Sequence, residues 1–538
     1  MKTPTARRCV LSLLACAAFT ALPAVGQVYQ RTDTTPTTPA GVNGRTNLQA
    51  VAATPDGGYI AVGSDGPNFL HLARYNAAGN VQWSRYSPTA LNFAQVTSIN
   101  PIGTAANQAY VVAGEIADAF PWGTFVAMVD GAGNLMCPIR EINGVGPNAA
   151  TSRSPVAVKP LNDQSYVVTG RSQAASTAPV FGRLTRFAPG CGGAVAWSRI
   201  YTPTGGVEGL TGACEITDLV EEPNNETLLA VGTAAVANGA AVPFLLRVDR
   251  NNGNVLQSVF YGNGSPTLNL RGDGIAASQD VNGVVNGYVF NGRSSATNTG
   301  GATTTANYVV RVDMALNIVW SETFREFEPC HAGVRTFRDD VLLAGTRNTP
   351  NVPAANVWIE RVKAANGAPV WGWNYGRQNN ERGNGIAITA ASPGSPMGPI
   401  VVGIRNTATA PGGGFLVKAD IATGSSGGCQ EAAPAPFQSG IRVPATFAAT
   451  FVQNIRILEN PLLVEQLDTL NACFEICCNP DFNNDGDFGT DADIEAFFAC
   501  LGGDCCPTCG TSDYNCDGDF GTDADIESFF SVLGGGAC

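Results

Sequence analysis

The sequence predicts an all-β fold, a seven-bladed β-propeller, followed by a small disulfide-rich α-helical domain. Three observations predict it. One strand-and-turn unit recurs seven times between residues 48 and 430. Charged residues make up only 14% of the chain while glycine numbers 63 of 538, the composition of a turn-rich β protein. Residues 473–538 then write one acidic loop twice, in a segment crowded with cysteine.

The recurring unit is a strand ending in glycine, a polar loop, an apolar strand closing in Arg-x-Asp/Asn, then Gly-Asn and a strand carrying Trp. Its first copy runs Gly58 to Gly63, Leu70 to Asn76, and Gly79-Asn80-Val81-Gln82-Trp83. The closing glycines (Gly63, Gly114, Gly170, Gly232, Gly292, Gly345, Gly403) lie 51 to 62 residues apart, which suits a four-stranded blade with a generous loop. Leu48–Ala53, Gly274–Ala277 and Gly385–Ile388 are candidate innermost strands. One such sheet cannot bury both faces, whereas seven packed radially can. Two sandwiches would not give the regular spacing. Trp83, Trp197, Trp320 and Trp371 are expected between neighbouring blades. The repeated Arg74, Arg186, Arg247, Arg311 and Arg361 are expected in structural ion pairs or hydrogen bonds. The propeller is assigned to residues 27–440, with closing strands or linker over 441–472. Either Thr446–Phe451 or Val28-Tyr29-Gln30 completes the last blade, and Ala432–Pro436 reads as a loose linker. The pattern resembles the broad group of bacterial secreted propellers with GGYxxxG…GNxxW blades, a likeness that implies fold and hardly any function.

In the tail, Asp481-Phe482-Asn483-Asn484-Asp485-Gly486-Asp487 returns 32 residues later as Asp513-Tyr514-Asn515-Cys516-Asp517-Gly518-Asp519. Hard oxygen donors at positions 1, 3 and 5, then glycine at 6 for a sharp bend, are what a Ca²⁺ loop requires. Each copy runs into an apolar helix signal, Ile494 to Phe498 and Ile526 to Phe530. Two such copies argue against a mere acidic turn. The tandem resembles a dockerin, the two-loop calcium module that plugs exported proteins into a surface-bound partner, and is closest to the cysteine-rich "GC-type" bacterial variety. That resemblance implies two Ca²⁺ ions and a cohesin-like or other surface receptor. The closing acid departs from it: Ala492 and Ala524 stand at loop position 12, and Asp493 and Asp525 are favoured over Asp491 and Asp523 because each directly precedes the apolar helix start. The expected ligand set is therefore Asp481, Asn483, Asp485, Asp487 and Asp493, with Asp513, Asn515, Asp517, Asp519 and Asp525.

Two of the sixteen cysteines fall in the N-terminal export signal, and nine of the remaining fourteen crowd into residues 473–538. A segment too small for much core calls for disulfide staples. Aligning the copies suggests Cys477–Cys506 and Cys509–Cys538, with Cys500 and Cys516 as unmatched candidates for a link between copies; connectivity is not deducible from spacing. The signal comprises Lys2, Arg7 and Arg8, an apolar run from Cys9 to Leu22, and Ala24-Val25-Gly26 before a cut at Gln27, giving residues 1–26. A lipoprotein box at Leu13-Leu14-Ala15-Cys16 and a twin-arginine signal at Arg7-Arg8 are the lesser readings. The expected location is outside the cell or at the surface of a bacterium. No apolar run is long enough to span a bilayer, and a net charge of −13 argues against nucleic acid.

Chemistry is sparse. The two histidines, His71 and His331, have no ligand or nucleophile companions at useful spacing. Gly424 to Gly428 matches GxSxG without strand-to-helix context, and Arg271-Gly272-Asp273 spells an adhesion triplet once. Glu221 with Glu222 and Asp339 with Asp340 are adjacent acids that a strand would aim in opposite directions. The blade Trp resembles that of quinone-cofactor dehydrogenases, but it recurs in nearly every blade and is architectural. Arg45, Arg271, Asp273, Arg382 and Asn384 precede innermost strands and form a candidate ligand rim at one mouth of the channel, though a turn-forming role is at least as natural. The expected function is a non-catalytic exported propeller that binds a glycan or protein and is anchored by its calcium module. The rival is a dockerin-borne carbohydrate-active enzyme of hydrolase or lyase type.

Overall fold

The computed structural model describes residues 28–34, 46–471, 480–502 and 512–536, less internal stretches of one to twelve residues between strands and in the tail loops. Within them the chain builds seven antiparallel sheets around one axis, a seven-bladed β-propeller. The first blade shows the plan, with strands Thr46–Ala53, Tyr59–Asp65, Phe69–Tyr75 and Val81–Tyr86 running from the axis outward. Innermost strands of successive blades stand side by side, and that of the seventh, Asn380–Thr389, packs against Thr46–Ala53 to shut the ring. Apolar residues on both faces of each sheet feed cores shared between neighbours. Ile60, Val62 and Leu72 of blade one meet Ile99, Val112 and Ala127 of blade two, while Tyr59, Ala61 and Tyr75 meet Ile400, Val402 and Leu416 of blade seven.

The N-terminal strand Tyr29–Thr34 completes the last blade by pairing with Gly413–Lys418. Four-stranded blades are too few, however. Residues 430–471 form an outer belt that adds a fifth strand to every blade. Gln430–Ala432 joins blade six, Phe437–Gln438 blade five, Arg442–Pro444 blade four and Phe447–Phe451 blade three. Ile455–Leu458, Leu463–Glu465 and Asp468–Asn471 then join blades two, one and seven. The belt thus runs back around the ring against the order of the blades. The propeller assignment ending at 440 and the linker reading of Ala432–Pro436 are corrected accordingly: Ala432 pairs with Trp373, and the remainder of that stretch lies outside the described residues. Phe447–Phe451 serves blade three and not the last blade, whose fourth strand is Tyr29–Thr34 and whose outer edge is Asp468–Asn471.

Each junction between blades is held at the turn that follows the third strand. Trp83 Nε1 donates to Gly131 O of the next blade at 3.2 Å, and Arg74 Nη1 to the same carbonyl at 2.7 Å. Trp197 and Arg186 take Arg250 O, and Trp371 and Arg361 take Ile421 O. Trp320 takes Ala364 O and Arg247 takes Met314 O. At the ring's seam Lys418 stands in for the arginine and donates to Ala77 O. The recurring arginines also form the expected ion pairs, Arg74 donating to Asp56, Arg186 to Asp163, Arg247 to Glu222 and Arg361 to Asp340. Arg311 bonds Asn286 and Ser278 instead. Blade two, with Met128 in the arginine register, is fixed to blade three by the disulfide Cys137–Cys191 and by Arg140 donating to Gly193 O.

The turn glycine follows from this packing. Gly133, Gly253 and Gly424 have φ of 77°, 71° and 76°, and a Cβ on each would fall within 2.9 Å of the preceding blade's Trp ring. Where blade four has Gln257 in the Trp register, the following turn carries Leu316 at φ 68°.

Glu222 is the most heavily engaged acid in this scheme. It accepts from Arg247 Nε at 2.7 Å and Nη2 at 2.8 Å, from Thr227 Oγ1 at 2.6 Å, and from Tyr288 Oη of the next blade at 2.6 Å. Burial would raise its pKa, but these donors bring it below the ordinary value. Glu222→Gln strips the charge from a buried acceptor while Arg247 stays half-buried, so urea denaturation should show a loss of about 1–3 kcal/mol. A loss within experimental error would show that the network is dispensable.

Candidate functional site

Two places gather polar chemistry, the axial channel and the tail. The channel is lined by the innermost strands of all seven blades and holds about 570 Å³ of atom-free space, open mouth included. Many of its polar side chains staple one inner strand to the next. Asn100 Nδ2 donates to Val158 O at 2.7 Å, Thr217 Oγ1 to Gly272 O at 2.9 Å, and Asn384 Nδ2 to Leu48 O at 2.8 Å. Asp218 pairs with Lys159 at 3.1 Å and also accepts from Ile275 N at 3.2 Å. Asp273 is gripped by Arg293 through two bonds of 2.9 and 3.0 Å.

Of the expected rim, Asp273 and Asn384 line the channel. Arg271 and Arg382 are exposed and absent from that lining, and Arg45 lies outside the described residues. The pairing of Asp273 with Arg293 leaves the Arg-Gly-Asp triplet unsuited to adhesion. Lys159 and Arg335, which also line the channel, were missed by reading rim residues from Arg-Gly turns. Both sit in the innermost strands of blades whose first strand is short, Val158–Pro160 and Gly333–Phe337, where the repeat pattern is weakest.

The conspicuous acid pairs are structural. Glu221 meets Arg250, Glu222 meets Arg247, and Asp339 and Asp340 both meet Lys363. His71 is fully buried with Nε2 2.8 Å from Ser84 Oγ. His331 lies outside the described residues.

In the tail, α1 (Asp491–Leu501) and α2 (Asp523–Leu533) repeat one another about a small aromatic core. Phe497 and Phe529 stack at 4.1 Å, flanked edge-on by Phe482 and Tyr514. Gly489 (φ 67°) lies under Leu533 of the second copy, and Gly521 (φ 65°) under Leu501 of the first, so each loop is seated on the other copy's helix. Phe498 and Phe530 are exposed side by side, ring centres 6.1 Å apart.

Asp493 and Asp525 are completely buried, and each ties its loop to its helix. Asp493 Oδ2 accepts from Thr490 N and Oγ1, both at 2.9 Å, and Oδ1 from Asn483 N at 3.2 Å. Asp525 Oδ2 accepts from Thr522 N at 2.7 Å and Oδ1 from Tyr514 N at 2.7 Å. Burial would raise both pKa values, yet these donors hold them below the ordinary carboxylate value. Asp491 and Asp523 are exposed. Asp481 is buried, Asn483 and Asn515 are half-buried and Asp487 is exposed. Asp485, Asp513, Asp517 and Asp519 lie outside the described residues, as do Cys477, Cys506, Cys509, Cys516 and Cys538. Cys500 is disulfide-bonded, and its pairing falls outside them too. Among the described residues no group of three His, Cys, Asp or Glu side chains is placed to hold a metal ion. The donor chemistry nonetheless fits a hard cation. Residues 473–538 contain fourteen of the chain's 44 acids and none of its 31 Lys and Arg. Buried carboxylates without one cationic side chain in their segment favour a divalent ion with oxygen ligands.

No family model matches the chain, and no curated protein matches it. Among solved structures, the quinohemoprotein alcohol dehydrogenase ADHIIG of Pseudomonas putida HK5 is similar at 11% identity and a TM-score of 0.37, covering 76% of this chain and 78% of that one. The quinohemoprotein alcohol dehydrogenase of Comamonas testosteroni is similar at 10% identity and a TM-score of 0.36, covering 74% and 76%. The α-L-arabinofuranosidase Arb93A of Fusarium graminearum is similar at 10% and 0.36, covering 73% and 98%. Likeness at this level carries neither family nor chemistry; the propeller architecture rests on the strand pairing itself.

Two predictions follow the buried groups. His71 has its pKa lowered to about 4 by burial, below the 6.5 of an exposed imidazole, so the unfolded chain takes up the proton first. The stability lost through this group as pH falls from 6.5 to about 4 should reach about 3 kcal/mol, and urea midpoints of His71→Gln should lack that part of the pH dependence. In the tail, Asp493→Ala should weaken Ca²⁺ uptake more than Asp491→Ala, as read by calorimetry. Equal losses would remove Asp493 as the loop-closing acid.

Proposed function

We propose that this protein is an exported, non-catalytic β-propeller displayed at a bacterial surface through a dockerin-like tail that takes up two Ca²⁺ ions. Asp481, Asn483, Asp485, Asp487 and Asp493 would hold the first ion, and Asp513, Asn515, Asp517, Asp519 and Asp525 the second. The observation that carries this reading is the tail's uncompensated charge, fourteen acids with no basic residue, ten of them in two loops of matching sequence. Bound cations would relieve that repulsion and order both loops against their helices. The exposed pair Phe498 and Phe530 supports a docking role, because adjacent aromatic side chains in solvent are what a protein partner would cover. A cohesin-like surface receptor is the proposed partner. The ring's acid pairs, arginines and buried histidine are absorbed by structure, which supports display over catalysis and leaves the channel as the place to bind a ligand.

Calorimetric titration of the whole protein with Ca²⁺, after chelation, should show two ions bound, with the propeller's far-UV signal unchanged. Absence of any uptake would overturn the anchoring mechanism. An isolated-receptor pull-down that is insensitive to chelator would separate docking from calcium.

A further inference from the structure

We propose that the axial channel binds a small carboxylate between Arg335 and Lys159. This deepens the ligand-binding part of the reading above and is independent of the tail.

Four charged side chains line the channel: Lys159, Asp218, Asp273 and Arg335. Two of them are neutralised one-for-one, Asp273 by Arg293 and Lys159 by Asp218. Arg335 is left over. Its Nη1 donates to Val334 O at 2.8 Å, and among the described residues no carboxylate lies within ion-pair distance of its guanidinium. Asp218 acts on Arg335 through space as well as pairing with Lys159, so one carboxylate serves two cations and the polar channel keeps one positive charge in excess, an arrangement that costs free energy until a counter-ion enters.

Ring order places the two cations to face one another. Lys159 is on blade three and Arg335 on blade six, nearly opposite in a ring of seven, and both reach the axis from the innermost strand. Burial loosens the proton of Lys159; Asp218 opposes this and Arg335 adds to it, so the two cations sense each other across the channel with one carboxylate between them. A guanidinium with most of its N–H donors unused is matched by a planar carboxylate, which can take two parallel bonds and leave an oxygen edge for an ammonium. A halide satisfies the charge but not the fork.

The test is calorimetric titration of the whole, disulfide-intact protein with sodium acetate in chloride-free buffer, beside Arg335→Gln. Saturable acetate binding to the wild type, weakened about tenfold or more in the variant, is expected. Equal responses of both proteins would overturn the proposal. Chloride binding as tightly as acetate would also overturn it, assigning a plain anion hole. Should Arg335→Gln fail to fold, a wild-type crystal soaked in acetate decides: planar density against the guanidinium supports the site, and water alone there sinks it. None of these outcomes depends on Ca²⁺, so failure here leaves the anchoring mechanism standing and failure of anchoring leaves this site standing.

Discussion

A backbone carbonyl at the turn that follows the third strand, taken by donors from the preceding blade, is the contact on which the ring depends. A blade is a sheet with two apolar faces, so it gains nothing from folding alone and must be matched to neighbours on both sides. Apolar packing has no direction and would tolerate sliding. The indole and guanidinium hydrogen bonds at Gly131, Arg250 and Ile421 fix where each turn sits against the next. Their desolvation is offset because each arginine is also paired with an acid from its own blade. The carbonyl accepts two donors, which uses both of its lone pairs and fills the gap left by the turn's missing side chain.

The seam shows how far the device can be stretched. Blade seven is assembled from distant parts of the chain, with Tyr29–Thr34 placed between Gly413–Lys418 and Asp468–Asn471. Here Lys418 replaces the arginine as donor to Ala77 O, and burial lowers its pKa to about 8. An ammonium lacks the planar fork of a guanidinium, and blade seven is itself closed by strand pairing at both edges of Tyr29–Thr34. The belt extends the same logic to every blade. Each fourth strand would otherwise present an open edge, and residues 430–471 cover all seven in one pass.

The propeller was legible because its repeat encodes turn chemistry. Gly-Asn followed by Trp states that a turn needs positive φ and that an indole will lie upon it, and the structure joins both demands at Gly133, Gly253 and Gly424. The belt was not legible, since its strands are two to five residues long and draw their pairing from the blade edges rather than from a pattern of their own. The Cys137–Cys191 bridge gave no local signal either. Its separation of 54 residues equals one blade, and it occurs where Met128 removes the arginine, so the substitution in the repeat was the available clue. The channel cations escaped for a related reason: a residue facing the axis has neighbours from several blades, and sequence order does not show which side chains converge there.

Charge is partitioned along the chain in a way that explains why these sites differ in kind. Residues 473–538 hold fourteen acids, which leaves 30 acids against 31 Lys and Arg for all the rest. The rest is thus nearly neutral, many of its charges among the described residues meeting in pairs between strands, and Arg335 stands out against that background. The tail has no such balance, since its segment contains no Lys or Arg. In the channel one excess charge asks for one small partner of shape to match, so geometry selects. In the tail the excess is larger, and under the proposed reading valence would select, a divalent ion with several oxygen ligands offsetting more charge per site than a monovalent one.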